Sequence, residues 1–127
     1  MPITHAFVSG ISDGADANLV RPSNWNADHV RVYAITSYST TGSIAAGDET
    51  VLLTAGAGGI TRTLPTAVGV DGQEYILKRV DAGAGNVTID TTSAQTIDGA
   101  TSYILSNQWQ YVTVQSDGAN WVIVGNN

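Results

Sequence analysis

The chain contains no cysteine, which removes disulfides, thiolate nucleophiles and zinc-thiolate sites at once. Charge is scarce as well: 127 residues carry five Lys and Arg against eleven Asp and Glu, a formal net charge of −6. The cations Arg21, Arg31, Arg62, Lys78 and Arg79 are too few to form the dense patch that neutralises phosphates, so nucleic acid is excluded as a partner. No apolar stretch approaches the ~20 residues that cross a bilayer. The opening Met1-Pro2-Ile3-Thr4-His5 has neither the basic start nor the apolar run of a signal peptide, and the chain is read as a soluble, non-secreted product with no membrane association. No window carries a helical hydrophobic period.

What is present falls into two parts. Residues 1–30 are rich in Gly, Asp, Asn, Ser and Pro, residue types that interrupt regular structure. An extended N-terminal arm is expected there, with at most one helical turn over Asn24 to His29, capped by Ser23. Phe7, Leu19, Arg21 and Trp25 are the arm's candidate anchors. Such side chains are costly to leave in water, and Trp and Arg are enriched at the energetic centres of interfaces. They either fold back on the chain's own β-module or insert into a neighbouring subunit or a larger particle.

Residues 31–127 read as short strands bounded by turns. Strands are expected near Val32–Ser37, Glu49–Thr54, Gly59–Leu64, Glu74–Val80, Asn86–Asp90, Gln95–Ile97, Thr101–Leu105, Gln108–Gln115 and Asn120–Val124. The last two form a β-hairpin around Asp117-Gly118, where glycine supplies the positive φ of the turn. Alternation places Val112, Val114, Val122 and Val124 on one hairpin face, and Trp109, Tyr111, Trp121 and Ile123 on the other. One face fills a core; the second is assigned to a subunit interface, with a homotrimer as the expected assembly. The fold class is all-β, an antiparallel β-sandwich or jelly-roll-like module behind the arm.

Candidate chemistry is thin. The Asp-Gly pairs at 13–14, 71–72, 98–99 and 117–118 lack the carboxylate spacing and closing Glu of a calcium loop and are read as turns. His5 and His29 are too far apart to specify a zinc site. Asp48 and Glu49 are adjacent, so a strand would point them to opposite faces, and they are read as a solvated edge rather than an acid–base pair. Ala55-Gly56-Ala57-Gly58-Gly59 lacks the Lys-Ser/Thr ending of a phosphate loop and is read as a flexible hairpin turn. No catalytic residues, metal or cofactor are assigned, and the chain is not expected to be an enzyme. A carbohydrate-binding module is the rival reading, with Tyr33, Tyr38 and Tyr103 as stacking platforms, whereas Trp109 and Trp121 are expected to pack on each other.

Two regions resemble structural proteins of tailed bacteriophages: capsid-decoration, head-fibre and tail-fibre modules. The first is Asp13-Gly14 with Leu19-Val20-Arg21-Pro22-Ser23-Asn24-Trp25-Asn26 and His29. The second runs from Leu64-Pro65 through Gly72-Gln73-Glu74-Tyr75-Ile76-Leu77-Lys78, Asn86-Val87-Thr88-Ile89, Gln95-Thr96-Ile97-Asp98-Gly99 and Tyr111-Val112-Thr113-Val114 to Ser116-Asp117-Gly118-Ala119-Asn120-Trp121. The resemblance implies a trimeric virion protein, made in the host cytoplasm, whose N-terminal part attaches to the particle. The short chain favours a decoration or cement protein bound to the major capsid protein or another virion protein. A short head or tail fibre, or its adaptor, is the alternative, and a surface glycan is a further candidate ligand.

Overall fold

The computed structural model describes the backbone of residues 2–3 and 29–30 and the whole of 32–127. The chain divides into two compact units, 1–33 and 34–127. In the first, β1 (Pro2–Ile3) pairs antiparallel with β2 (His29–Val30), Pro2 opposite Val30 and Ile3 opposite His29. The expected anchors Phe7, Leu19, Arg21 and Trp25 lie outside the described residues, as does the expected helical turn except for His29, which is in β2.

The second unit is built from nine strands. They are β3 (Ile35–Tyr38), β4 (Gly42–Ser43), β5 (Thr50–Leu53), β6 (Ile60–Thr63), β7 (Glu74–Arg79), β8 (Val87–Asp90), β9 (Ser102–Leu105), β10 (Tyr111–Ser116) and β11 (Trp121–Asn126). No helix occurs among the described residues. One sheet has the order β11-β10-β7-β5-β3 and the other β4-β6-β8-β9. From β3 to β8 the chain alternates between them, so β3, β5 and β7 are parallel neighbours in the first and β4, β6 and β8 in the second. Only then does it reverse, β9 pairing antiparallel with β8, and β10 with β7 and β11.

The all-β expectation therefore stands, but its antiparallel form is corrected: both sheets are mixed, and neither closes into a barrel. A parallel pair needs a crossover, usually a helix. Here a strand of the opposite sheet supplies it, which is why a helix-free sequence still yields parallel neighbours.

Alternation decides what each strand buries. β5 turns Val51 and Leu53 inward, β7 turns Tyr75, Leu77 and Arg79, and β10 turns Val112, Val114 and Ser116. Register aligns Val51, Leu77 and Val112 in one row across the first sheet. The second sheet contributes Ile60, Val87, Ile89 and Leu105 to the same buried cluster. Covering a Leu or Val side chain completely contributes about 1.5–3 kcal/mol each, so this shared cluster is the main source of cohesion. The expected strand at Gln95–Ile97 is reduced to isolated bridges from Ile97 to Ala100 and Trp121. The two-residue β4 was too short to show a period.

The closing hairpin forms as expected but its faces do not. Register pairs Ser116 with Trp121 and Val114 with Ile123, and directly opposed residues share a face. Trp121 and Ile123 thus lie on the core side with Val112 and Val114. Alternation then turns Val122 and Val124 to the other side, Val124 52% exposed, and the register shifts between Thr113 and Val114.

The glycine-rich 55–59 segment is likewise a corner between sheets rather than a hairpin turn. Its tightness is visible at Gly85, where a Cβ would stand 2.0 Å from the Gly59 nitrogen. Asp81 holds the corner by accepting hydrogen bonds from the amides of Ala55 at 2.8 Å, Gly56 at 2.9 Å and Gly83 at 3.1 Å. Those donors, Ala55 first, with Arg79 beside them, lower the Asp81 carboxyl to about 2.

Candidate functional site

The four residues assigned to a subunit interface have different fates. Trp121 is fully buried and so is not available to a partner; that assignment is corrected. Ile123 is partly buried and packs on the core. Tyr111, partly exposed, is on the outer face of the first sheet opposite Lys78. Trp109 is 55% exposed and precedes β10 rather than lying in it.

The expected Trp109–Trp121 pairing does not occur. Trp121 instead stacks obliquely on Tyr75, with ring centroids 5.4 Å apart and planes at 55°. Its backbone N–H donates to Thr96 at 2.9 Å, its indole N–H to the Pro65 carbonyl at 3.2 Å, and its carbonyl accepts from the Asp98 amide at 3.0 Å. Around it, Asn120 Oδ1 accepts from the Thr96 amide and Asp98 Oδ1 from the Ile123 amide. Asp98 and Gly99 both have positive φ, 48° and 83°, and their tight turn joins Ile97 to Ala100. Leu64-Pro65, Thr96-Ile97-Asp98-Gly99 and Asn120-Trp121, far apart in sequence, thus meet at one indole.

The carboxylates examined for chemistry serve the same structural purpose. Asp48, expected at a solvated edge, is only 6% exposed and accepts from Thr36 Oγ1, Tyr38 OH and the Ala45 amide at 2.8–2.9 Å. The bond to Asp48 is the first cause of the raised Tyr38 pKa. The Asp117 carboxyl is lowered by the amides of Asn120 and Ala119, which it accepts inside its own turn. Among the described residues no group of three His, Asp or Glu is placed to hold a metal ion.

The tyrosines expected as sugar platforms are mostly committed. Tyr38 has its hydroxyl on Asp48 and the Arg62 guanidinium 3.7 Å from its ring centre. Tyr103 packs against the core and accepts from Asn126. Tyr33 is 65% exposed.

The surface that gathers binding groups is the loop between β9 and β10. Here Trp109 holds φ at +68°, a left-handed conformation that costs a bulky L-residue about 1–2 kcal/mol. The neighbourhood enforces it. The Trp109 amide donates to the Arg79 carbonyl at 2.9 Å, and the Arg79 amide to the Gln110 carbonyl at 2.9 Å. Gln110 Oε1 accepts from the amides of Ser106 and Asn107. Beneath the loop, the guanidinium of Arg79, 1% exposed, donates to the carbonyls of Leu105, Ser106 and Gly83 and contacts Asp81 at 3.3 Å.

The residues that flank Trp109 in the chain, Asn107, Gln108 and Gln110, line a cleft of about 220 Å³ together with Asn127, whose side-chain amide reaches the Trp109 carbonyl at 3.5 Å. Lys78 Nζ stands 5.8 Å from the indole centre. An aromatic plane, neutral amides and one ammonium suit a polar, uncharged ligand with an apolar face. Hydrophobic alternation could not find this site. The available signal was the run Asn107-Gln108-Trp109-Gln110, an aromatic set among amides with no apolar neighbour to pack against.

No protein-family model matches the chain, and no curated protein matches it in sequence.

Proposed function

We propose that the chain is a structural component of a tailed-phage virion, a decoration or cement protein that binds the capsid surface as a homotrimer and stabilises it. The observation that carries this reading is the meeting at Trp121 of the segments that resemble phage β-modules. They are far apart in sequence yet mutually hydrogen-bonded, so the segments that carry the resemblance form one structural unit of this chain. The major capsid protein, or another virion protein, is the partner, and residues 1–30 make the attachment.

The trimer is supported by the outer face of the first sheet. Register sets Ile35, Thr50, Ile76 and Thr113 in one row and Ser37, Leu52, Lys78 and Tyr111 in the next. Ile35 is 69% exposed, and β3 is an edge strand. Closed symmetry covers such a face and protects its edge. Attachment at several points would raise a weak single-site affinity by about 10²–10⁴-fold where geometry allows simultaneous engagement.

The test is copy number on purified virions produced from a genome that carries this gene. Decoration predicts copies in proportion to the coat protein, a head or tail fibre or adaptor predicts few, and absence from the particle overturns the virion reading altogether.

A further inference from the structure

We propose that the exposed Trp109 and the cleft lined by its chain neighbours Asn107, Gln108 and Gln110 together bind a pyranose ring of a neutral glycan, an activity separate from any structural role and independent of it. Three observations converge. The indole is 55% exposed on a well-tied loop and is held at φ +68°. A bulky side chain in this conformation is uncommon enough to point to a use for the ring where it is. The apolar face of a sugar is a plane of C–H bonds, and an exposed indole offers it a rigid partner of large area.

The cleft supplies the matching polar groups. Gln110 Nε2, Gln108 Oε1 and Asn107 Oδ1 accept or donate no hydrogen bond among the described residues, while the other amide atoms of these side chains do. Adjacent sugar hydroxyls are donors and acceptors at once, so they pair with a mixed set of amide groups that would serve an anion poorly. Volume sets the scale: about 220 Å³ is below the usual range for drug-sized ligands and fits one ring, with the rest of the glycan in solvent.

Charge favours a neutral sugar. Among the described residues the cleft is lined by neutral amides, Arg62 and Arg79 are buried, and Lys78 has its ammonium near the indole. Glu74 lies at the opposite end of the β7–β10 ladder, paired with Gln115. Among the described residues no carboxylate side chain lines the cleft.

The experiment is a titration of the full chain with trisaccharides of glucose, galactose, mannose, rhamnose and N-acetylglucosamine, followed through the indole N–H signals in NMR. Trp109→Tyr identifies the Trp109 signal by its loss. The expected result is saturable movement of that signal with at least one sugar, at millimolar affinity, while the Trp121 signal stays still. Trp109→Ala should weaken binding of that sugar roughly tenfold or more, measured by saturation transfer to the sugar protons, whereas Trp109→Tyr retains much of it and Tyr33→Ala all of it. No response to any of these sugars, equal movement of Trp121, or undiminished binding by Trp109→Ala would each overturn the proposal.

Discussion

Trp109 offers an inversion of the usual ranking of glycine and alanine. In ordinary backbone, glycine is less stable than alanine by roughly 0.5–1 kcal/mol because its unfolded chain is freer. At φ +68° any Cβ carries a left-handed penalty of about 1–2 kcal/mol, and Trp109→Ala keeps that penalty while losing the approach of Lys78 at 5.8 Å, worth about 0.5–1 kcal/mol at an exposed site. Trp109→Gly loses the same contact but removes the strain. The difference between the two variants is then about 0.5–1 kcal/mol in favour of glycine, or roughly 2–8 °C in Tm for a unit of this size. The backbone bonds to Arg79 and Gln110 remain in both, so the comparison isolates the dihedral. Thermal unfolding by circular dichroism, with both variants and wild type in one buffer, measures it. If alanine proves as stable as glycine, the loop does not hold its left-handed turn and the argument from Trp109's conformation falls.

Trp121→Ala should destabilise by about 3–5 kcal/mol, beyond the ordinary single-mutant range, because it opens a cavity and frees the Pro65 carbonyl; urea denaturation reads it, and a loss below about 1 kcal/mol would refute Trp121 as the closing residue. Asp81 has a folded pKa of about 2 against its ordinary 3.8, a depressed value whose stabilisation is full above about pH 4 and is lost as pH falls toward 2; Asp81→Asn should lower Tm at pH 7 and flatten its decline between pH 4 and 2. Gly85→Ala should unfold the chain or sharply lower Tm, since its Cβ would stand 2.0 Å from backbone nitrogen of Gly59, whereas Gly58→Ala, with open space around it, should be tolerated. Ile76→Lys, on the outer face of the first sheet, should convert the proposed trimer to monomer in light scattering without unfolding it; a wild-type monomer would remove the preassembled trimer.

Strand positions were legible because burial follows the pleat. Glu74–Val80 was expected and Glu74–Arg79 observed, and Asn86–Asp90 became Val87–Asp90. Which strands become neighbours was not legible. Val51 and Leu53 alternate with Thr50 and Leu52 whether the next strand runs parallel or antiparallel, so the pattern carries no information about direction. Corner chemistry was misread for a related reason: a glycine-rich run signals close approach as readily as flexibility, and only the three amides gathered on Asp81 show which applies. Asp48 was misjudged because a carboxylate satisfied by two hydroxyls and an amide is indistinguishable in sequence from one in water.

The two tryptophans of the described unit show where sequence reading runs out for function. Both follow an amide residue and both stand beside β-rich segments, so alternation assigned them to one face. Trp121, opposite the buried Ser116, turns into the core with Ile123, and alternation leaves Val122 and Val124 on the other side. Trp109 is removed from the ladder altogether by its left-handed turn. One indole therefore closes the module and the other faces solvent. The segments quoted for the resemblance meet at the buried one, where they hold the fold closed, and a fold by itself does not name a function. A binding role for this chain is therefore sought in residues that are not used to close the module. The loop from Asn107 to Gln110, strained, exposed and carrying amide side chains that each keep one atom without a partner among the described residues, meets that description, and it ties a prediction about stability to one about ligand binding through a single side chain.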